Sequence, residues 1–150
     1  MWQTNVKGVL HCAAAAAPGM MEQGWGRIIN VASNAGVGTA LPGTTLYAAT
    51  KGAVLTLTRR MAFELGGDNV TVNAVLPGFI RTDMTMAGRT EDEFDSIADN
   101  LNARSVLGRG VGEPGDIATV IAFLASAESG FMTGQLLLAD GGRTDYLSHV

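Results

Sequence analysis

Cysteine is nearly absent: Cys12 is the single example in 150 residues, so no disulfide can close within the chain. That usage suits a reducing cytoplasm, which is the expected location. Strong charge of one sign is missing as well. The formal net charge is −4 and spread without long runs, and the lack of a basic patch argues against nucleic acid as a partner. No apolar run approaches the ~20 residues of a membrane-spanning helix, so no membrane partner is expected. Val9 to Ala17 has the look of a signal-peptide core, but only Lys7 precedes it as a positive charge, and the run reads as a buried helix. No His, Cys or acidic residue stands at metal-ligand spacing from His11, so no metal is expected.

A working dinucleotide fingerprint is also missing. Gly110 to Gly115, G-V-G-E-P-G, matches G-x-G-x-x-G letter for letter and precedes a helix. The fingerprint needs a buried strand before it and a tight strand-to-helix turn. S-V-L-G-R is no such strand, and Pro114 with Asp116 reads as an ordinary helix start.

What is present is a 47% apolar chain of one domain's length, ample for a core. Residues 2 to about 22 read as a helix rich in alanine, with Pro18 and Gly19 expected to kink or end it. Strands are expected at about 27–32, 70–76 and 135–139, alternating with helices from Tyr47 to about Leu65 and from Asp116 to Ala125. The alternation implies an α/β fold, a parallel sheet with helices on both faces and right-handed crossovers. From Thr82 to Gly112 the sequence is polar and poorly periodic, which fits a mobile lid with few anchors.

Chemistry concentrates between Ser33 and Lys51. If Y-A-A-T-K opens a helix, Tyr47 and Lys51 are four apart and share a face. A free phenol is a poor base at neutral pH, and a fixed ammonium beside it favours the phenolate, giving a plausible proton donor or acceptor. Taken alone, Y-x-x-x-K also arises by accident on amphipathic helices. R-I-I-N-V-A-S just before it reads as a buried strand that delivers Ser33 toward the N-terminus of that helix. Open α/β folds build their sites at such a place.

With these residues the chain resembles the short-chain dehydrogenase/reductase family. The matching motifs are N-x-x-G at Asn5 to Gly8, G-R-I-I-N-V-A-S-x-x-G at Gly26 to Gly36, and Y-x-x-x-K at Tyr47 to Lys51. V-N-A-V-x-P-G-x-I-x-T at Val72 to Thr82 and T-G-Q-x-L-x-x-D-G-G at Thr133 to Gly142 complete the set. The resemblance implies a Rossmann-type sheet and NAD(P)-dependent interconversion of a ketone and a secondary alcohol. Tyr47 would then be the proton donor or acceptor, and Lys51 would tune it and bind the nicotinamide ribose. Ser33 would hydrogen-bond the substrate oxygen, while Asn5 would support a proton relay from a locally distorted helix. Pro77, Gly78, Ile80 and Thr82 would meet the nicotinamide. Ser33 precedes Tyr47 by fourteen positions, one more than the family's usual interval, and A-S-x-x-G favours Ser33 over Asn34 as the catalytic position.

The resemblance also implies a first half with a glycine-rich phosphate loop, and no strand-G-x-x-x-G-x-G-helix unit occurs here. Residues 1–150 are therefore expected to be a single partial domain, the C-terminal part of a Rossmann fold, and the choice between NAD and NADP is not determined. The alternative is an inactive remnant that acts at most as a dimerisation module. A homodimer or homotetramer is expected, because small residues at Ala13 to Ala17, Ala48, Ala49, Gly52 and Ala53 permit close packing. The strand ending at Ser33 should also present an open edge.

Overall fold

The computed structural model describes residues 1–146. The chain enters as one turn of π-helix, Gln3–Lys7, that runs directly into α1, Gly8–Gln23. α1 continues through Pro18 rather than ending there. Pro18 lies on the exposed side, where water can take up the carbonyl that the ring leaves without a donor. Gly24, at φ 64°, then closes the helix in the left-handed conformation that favours glycine.

Three strands form one parallel sheet: β1 (Gly26–Val31), β2 (Val70–Pro77) and β5 (Leu136–Ala139), in the order β1-β2-β5. These are the three expected strands, each within one residue of its expected ends. The alternation of β2 divides the core. Val72, Ala74 and Leu76 meet α1 and α2 (Thr45–Leu65) through Ala13, Val54, Leu55 and Met61 on one face. Val75 meets Ile117 and Leu124 of α5 (Pro114–Ala125) on the other. Helices therefore cover both faces, and β2, central in the sheet, is buried without a break from Val70 to Leu76 for that reason. The fully buried Asn73 of β2 fixes the entry to β5 by donating to the Met132 carbonyl at 2.9 Å and accepting from the Gln135 amide at 3.0 Å.

The crossovers differ from the expectation. β1 to β2 and β2 to β5 step in the same direction across the sheet, yet α2 and α5 lie on opposite faces. The two connections therefore have opposite hands. The handedness rule assumes a strand that feeds its return helix directly. The second connection instead passes through α3 (Asp83–Met86), α4 (Glu91–Asn102) and a small parallel pair, β3 (Phe79–Ile80) with β4 (Val111–Gly112).

That excursion is also better anchored than its composition suggests. Phe94 of α4 is 2% exposed, its ring 6.0 Å from that of Phe79, and the Arg81 guanidinium lies 4.7 Å from its centroid. Leu101 packs where a Cβ on Gly110 would stand 2.2 Å from the Leu101 carbonyl oxygen. The first glycine of G-V-G-E-P-G is thus needed for close approach to α4.

Leu76, with no exposed surface, sits where Val54, Leu55 and Ala32 converge. Leu76→Ala should lower unfolding stability by about 2–5 kcal/mol in denaturant titration. A loss below about 1 kcal/mol would mean that β2 is not the centre of the core.

Candidate active site

Ser33 stands just beyond the end of β1, after Ala32, and caps the 3-10 turn Asn34–Val37, its Oγ accepting from the Ala35 amide at 3.2 Å. That turn lies against α2. A Cβ on Gly36 would stand 2.9 Å from the Lys51 carbonyl carbon and 3.0 Å from the Gly52 nitrogen. The glycine of A-S-x-x-G is therefore what lets the serine turn rest on the backbone of the helix that carries Y-x-x-x-K. Tyr47 lies in the first turn of α2 and Lys51 one turn later.

Ser33 and Tyr47 line one cavity of about 200 Å³, together with Thr39, Leu41, Gly78, Phe79, Ile80 and Arg143. The Ser33 hydroxyl accepts a hydrogen bond but donates to no protein acceptor among the described residues, and the Tyr47 hydroxyl has no side-chain partner among them. Two hydroxyls with free protons thus border the same space.

Lys51 stands behind them. Its Nζ donates to the Val31 carbonyl at 2.9 Å and lies 5.8 Å from the centre of the Tyr47 ring. Half-burial disfavours the ammonium and lowers its pKa from the ordinary 10.5. Asn5, inside the π-helical turn, reaches α2 from the other side: its Nδ2 donates to Thr50 Oγ1 at 3.0 Å, and Thr50 donates to the Tyr47 carbonyl at 2.7 Å.

Of the expected nicotinamide contacts, Gly78 and Ile80 border the cavity, whereas Pro77 and Thr82 do not. Thr82 is the N-cap of α3, its Oγ1 accepting from the Thr85 amide and its own amide donating to Thr85 Oγ1 at 2.9 Å. The bland reading of a loop threonine therefore describes its contacts here. Lys51, behind the phenol, has N–H groups with no acceptor beyond the Val31 carbonyl among the described residues, and that donor set fits a nicotinamide ribose.

Two participants were not legible in sequence. Thr50 is hidden inside Y-A-A-T-K, where only Tyr47 and Lys51 attract notice. Arg143 lines the cavity from the far end of the chain, and the one available signal was the turn after β5, where Gly141 and Gly142 take φ of 71° and 72° and send the chain back over the site.

Comparison with known proteins adds to this geometry. The family described as enoyl-(acyl carrier protein) reductase matches residues 1–144. The short-chain reductase protein NovJ of Streptomyces niveus is 43% identical over 148 residues, covering 95% of this chain and 55% of NovJ. The 3-oxoacyl-[acyl-carrier-protein] reductase FabG of Thermotoga maritima is 44% identical over 138 residues, covering 92% and 53%. Among solved structures, the 3-oxoacyl-[acyl-carrier protein] reductase of Brucella melitensis superposes with a TM-score of 0.82 at 35% identity, covering 93% of this chain and 50% of that one. ElxO with NADP bound superposes at 0.79 and 32% identity, covering 91% and 54%. The chain spans about half the length of the relatives it matches.

The chain has two lysines, Lys7 and Lys51, so their titrations can be resolved after reductive ¹³C-methylation. The Lys51 signal should titrate below 10.5. Because the unfolded lysine binds its proton more tightly, stability should rise with pH from the folded Lys51 pKa up to 10.5, and Lys51→Met should flatten that rise. A Lys51 midpoint at or above 10.5 would contradict the burial.

Proposed function

The chain belongs to the short-chain dehydrogenase/reductase family, and on that footing we propose that it carries the catalytic part of an NAD(P)-dependent oxidoreductase interconverting a ketone and a secondary alcohol. The observation that carries the reading is the pair of uncommitted hydroxyls, Ser33 and Tyr47, on one cavity with the Lys51 ammonium 5.8 Å from the phenol ring. When bound, a nicotinamide dinucleotide supplies or accepts the hydride. Tyr47 gives a proton to the carbonyl oxygen or takes one from the alcohol. Ser33 donates to the same oxygen and fixes its position. Lys51 stabilises negative charge as it develops on the Tyr47 oxygen and offers its remaining N–H groups to ribose hydroxyls. Asn5 acts from behind, through Thr50, on the turn that holds Tyr47.

Residues 1–150 read as the C-terminal part of one Rossmann-fold domain, and the NADP bound to ElxO supports a nicotinamide nucleotide without fixing which. Pro77, Gly78, Ile80 and Thr82 remain the proposed nicotinamide contacts, with Gly78 and Ile80 the better supported because they border the cavity. The substrate is a small carbonyl or alcohol. A homodimer or homotetramer is supported by the exposed alanines Ala14 to Ala16 on α1 and by the partly exposed Val31 on β1, which pairs on one side only among the described residues. Among the described residues no helix is long and apolar enough to cross a membrane, and the single cysteine agrees with a cytoplasmic setting.

Tyr47→Phe should abolish ketone reduction, followed as nucleotide absorbance, in a preparation with a complete cofactor site, while NADH or NADPH binding by fluorescence titration stays near normal. Lys51→Ala should damage both. Hydride transfer by Tyr47→Phe at near the parent rate would refute the assignment. A chain that binds neither nucleotide would favour the inactive-module alternative.

A further inference from the structure

The Ser33 turn is held from a second direction, by a group at the far end of the sheet. Asp140 is the first residue after β5, and β2 separates β5 from β1. To reach the turn that follows β1, the Asp140 side chain must pass over the end of β2, where Gly78 lies. A Cβ on Gly78 would stand 2.7 Å from Asp140 Cβ and 2.8 Å from its Cα, so a glycine is required for that passage. On the far side Asp140 Oδ2 accepts from Asn34 Nδ2 at 3.5 Å and from the Tyr146 hydroxyl. Its Oδ1 accepts from the amides of Gly142 at 3.0 Å and Arg143 at 3.4 Å, which fixes the carboxylate itself. Asn34 and Tyr146 are both buried, and Asn34 is the first residue of the 3-10 turn that Ser33 caps.

Tyr146 belongs to a segment that runs beside the site, where Arg143 and Thr39 line the cavity. It bridges Thr39, the Asp145 carbonyl accepts from the Ala40 amide at 2.9 Å, and the Thr144 amide donates to the Arg104 carbonyl at 2.9 Å. The segment thus joins the loop beside Ser33 to the chain just after α4, and the Tyr146 phenol returns to the carboxylate that holds Asn34.

We infer that Asp140 is a positioning residue for Ser33: it acts through Asn34, with Tyr146 as its second anchor, and sets where the serine hydroxyl stands relative to Tyr47. The inference rests on the hydride-transfer reading for its catalytic consequence and on the contacts above for its geometry. Burial first, then the hydrogen bond from Tyr146 to Asp140 and the charge of that carboxylate, hold the Tyr146 phenol above its ordinary range, while Asn34 and Arg143 act the other way. Tyr146 therefore reports on the contact.

Tyr47 and Tyr146 are the only tyrosines, so in a Tyr47→Phe background the phenolate absorbance belongs to Tyr146 alone. Its midpoint should lie well above the ordinary ~10 and fall in Asp140→Asn without reaching that value, because burial remains. Asp140→Ala should lower it further, and the isosteric amide serves if the alanine variant fails to fold. In ¹⁵N spectra the Asn34 side-chain amide, identified by its loss in Asn34→Ser, should shift in both Asp140 variants. In turnover with Tyr47 intact, Asp140→Ala should reduce kcat roughly tenfold or more with the nucleotide KM unchanged, as expected for a misplaced group, and Asp140→Asn should recover part of it. An ordinary midpoint for Tyr146, a midpoint or Asn34 resonance indifferent to Asp140, or an unchanged kcat would each overturn the inference. A parent that binds nucleotide but shows no turnover, with both spectroscopic signatures present, would overturn the hydride-transfer reading and leave Asp140 as the group that holds the Ser33 turn.

Discussion

Gly36 approaches α2 so closely that any side chain there would press on the helix backbone at Lys51 and Gly52. The rest of the site follows from that contact. It sets the height of the Ser33 turn above the helix, and so decides that the Ser33 and Tyr47 hydroxyls border the same cavity. Lys51 closes the unit from the other side by donating to the Val31 carbonyl, the last residue of β1. Strand end, turn and helix are thereby joined at two points within one helical turn of each other. A displacement of the helix relative to the sheet would have to break a charge-assisted hydrogen bond and open a backbone contact together.

The parts that were legible in sequence are those where one local pattern decides the outcome. The strands announce themselves as short apolar runs between turn residues, β-branched in β2 and leucine-rich in β5, and α2 as an apolar stripe beginning at Y-x-x-x-K. The parts that were not legible depend on pairs of residues far apart in the chain. A two-residue strand such as β3 has no periodicity to read, because it exists only through its partner at Val111–Gly112. The segment Thr82 to Gly112 reads as unanchored from its polar composition, whereas the anchoring is done by Phe94 and Leu101, two side chains in a helix that is otherwise mostly exposed. Asp140 belonged to a recognisable turn, D-G-G, but nothing local indicates that its carboxylate crosses the end of β2 to Asn34.

The same distinction applies to glycine. Gly36, Gly78 and Gly110 have ordinary φ angles and are required by what comes near them: α2, Asp140 and α4 respectively. Sequence reading assigns a glycine to a turn by default, since conformational freedom is its local signature. Close approach is the other reason, and it shows only once the partner is in place. Gly78 illustrates the cost of stopping at motif level. The motif places it at the nicotinamide, and it does border the cavity, yet the contact that forbids a larger residue there is made by the chain itself.

Lys51 carries the remaining argument. A half-buried ammonium is a poor choice for stability alone, since desolvation disfavours its charge and, among the described residues, the carbonyl of Val31 alone accepts from it. An apolar side chain of similar length would fill the same space without that cost. Of the lysine's three N–H donors one is committed to Val31, and the phenol ring lies 5.8 Å away. A cation in that position gains most when negative charge or hydroxyl acceptors enter the cavity beside it, because partial exclusion of water strengthens each such interaction. The desolvation that disfavours the ammonium and the pull it exerts on negative charge beside it therefore have the same origin.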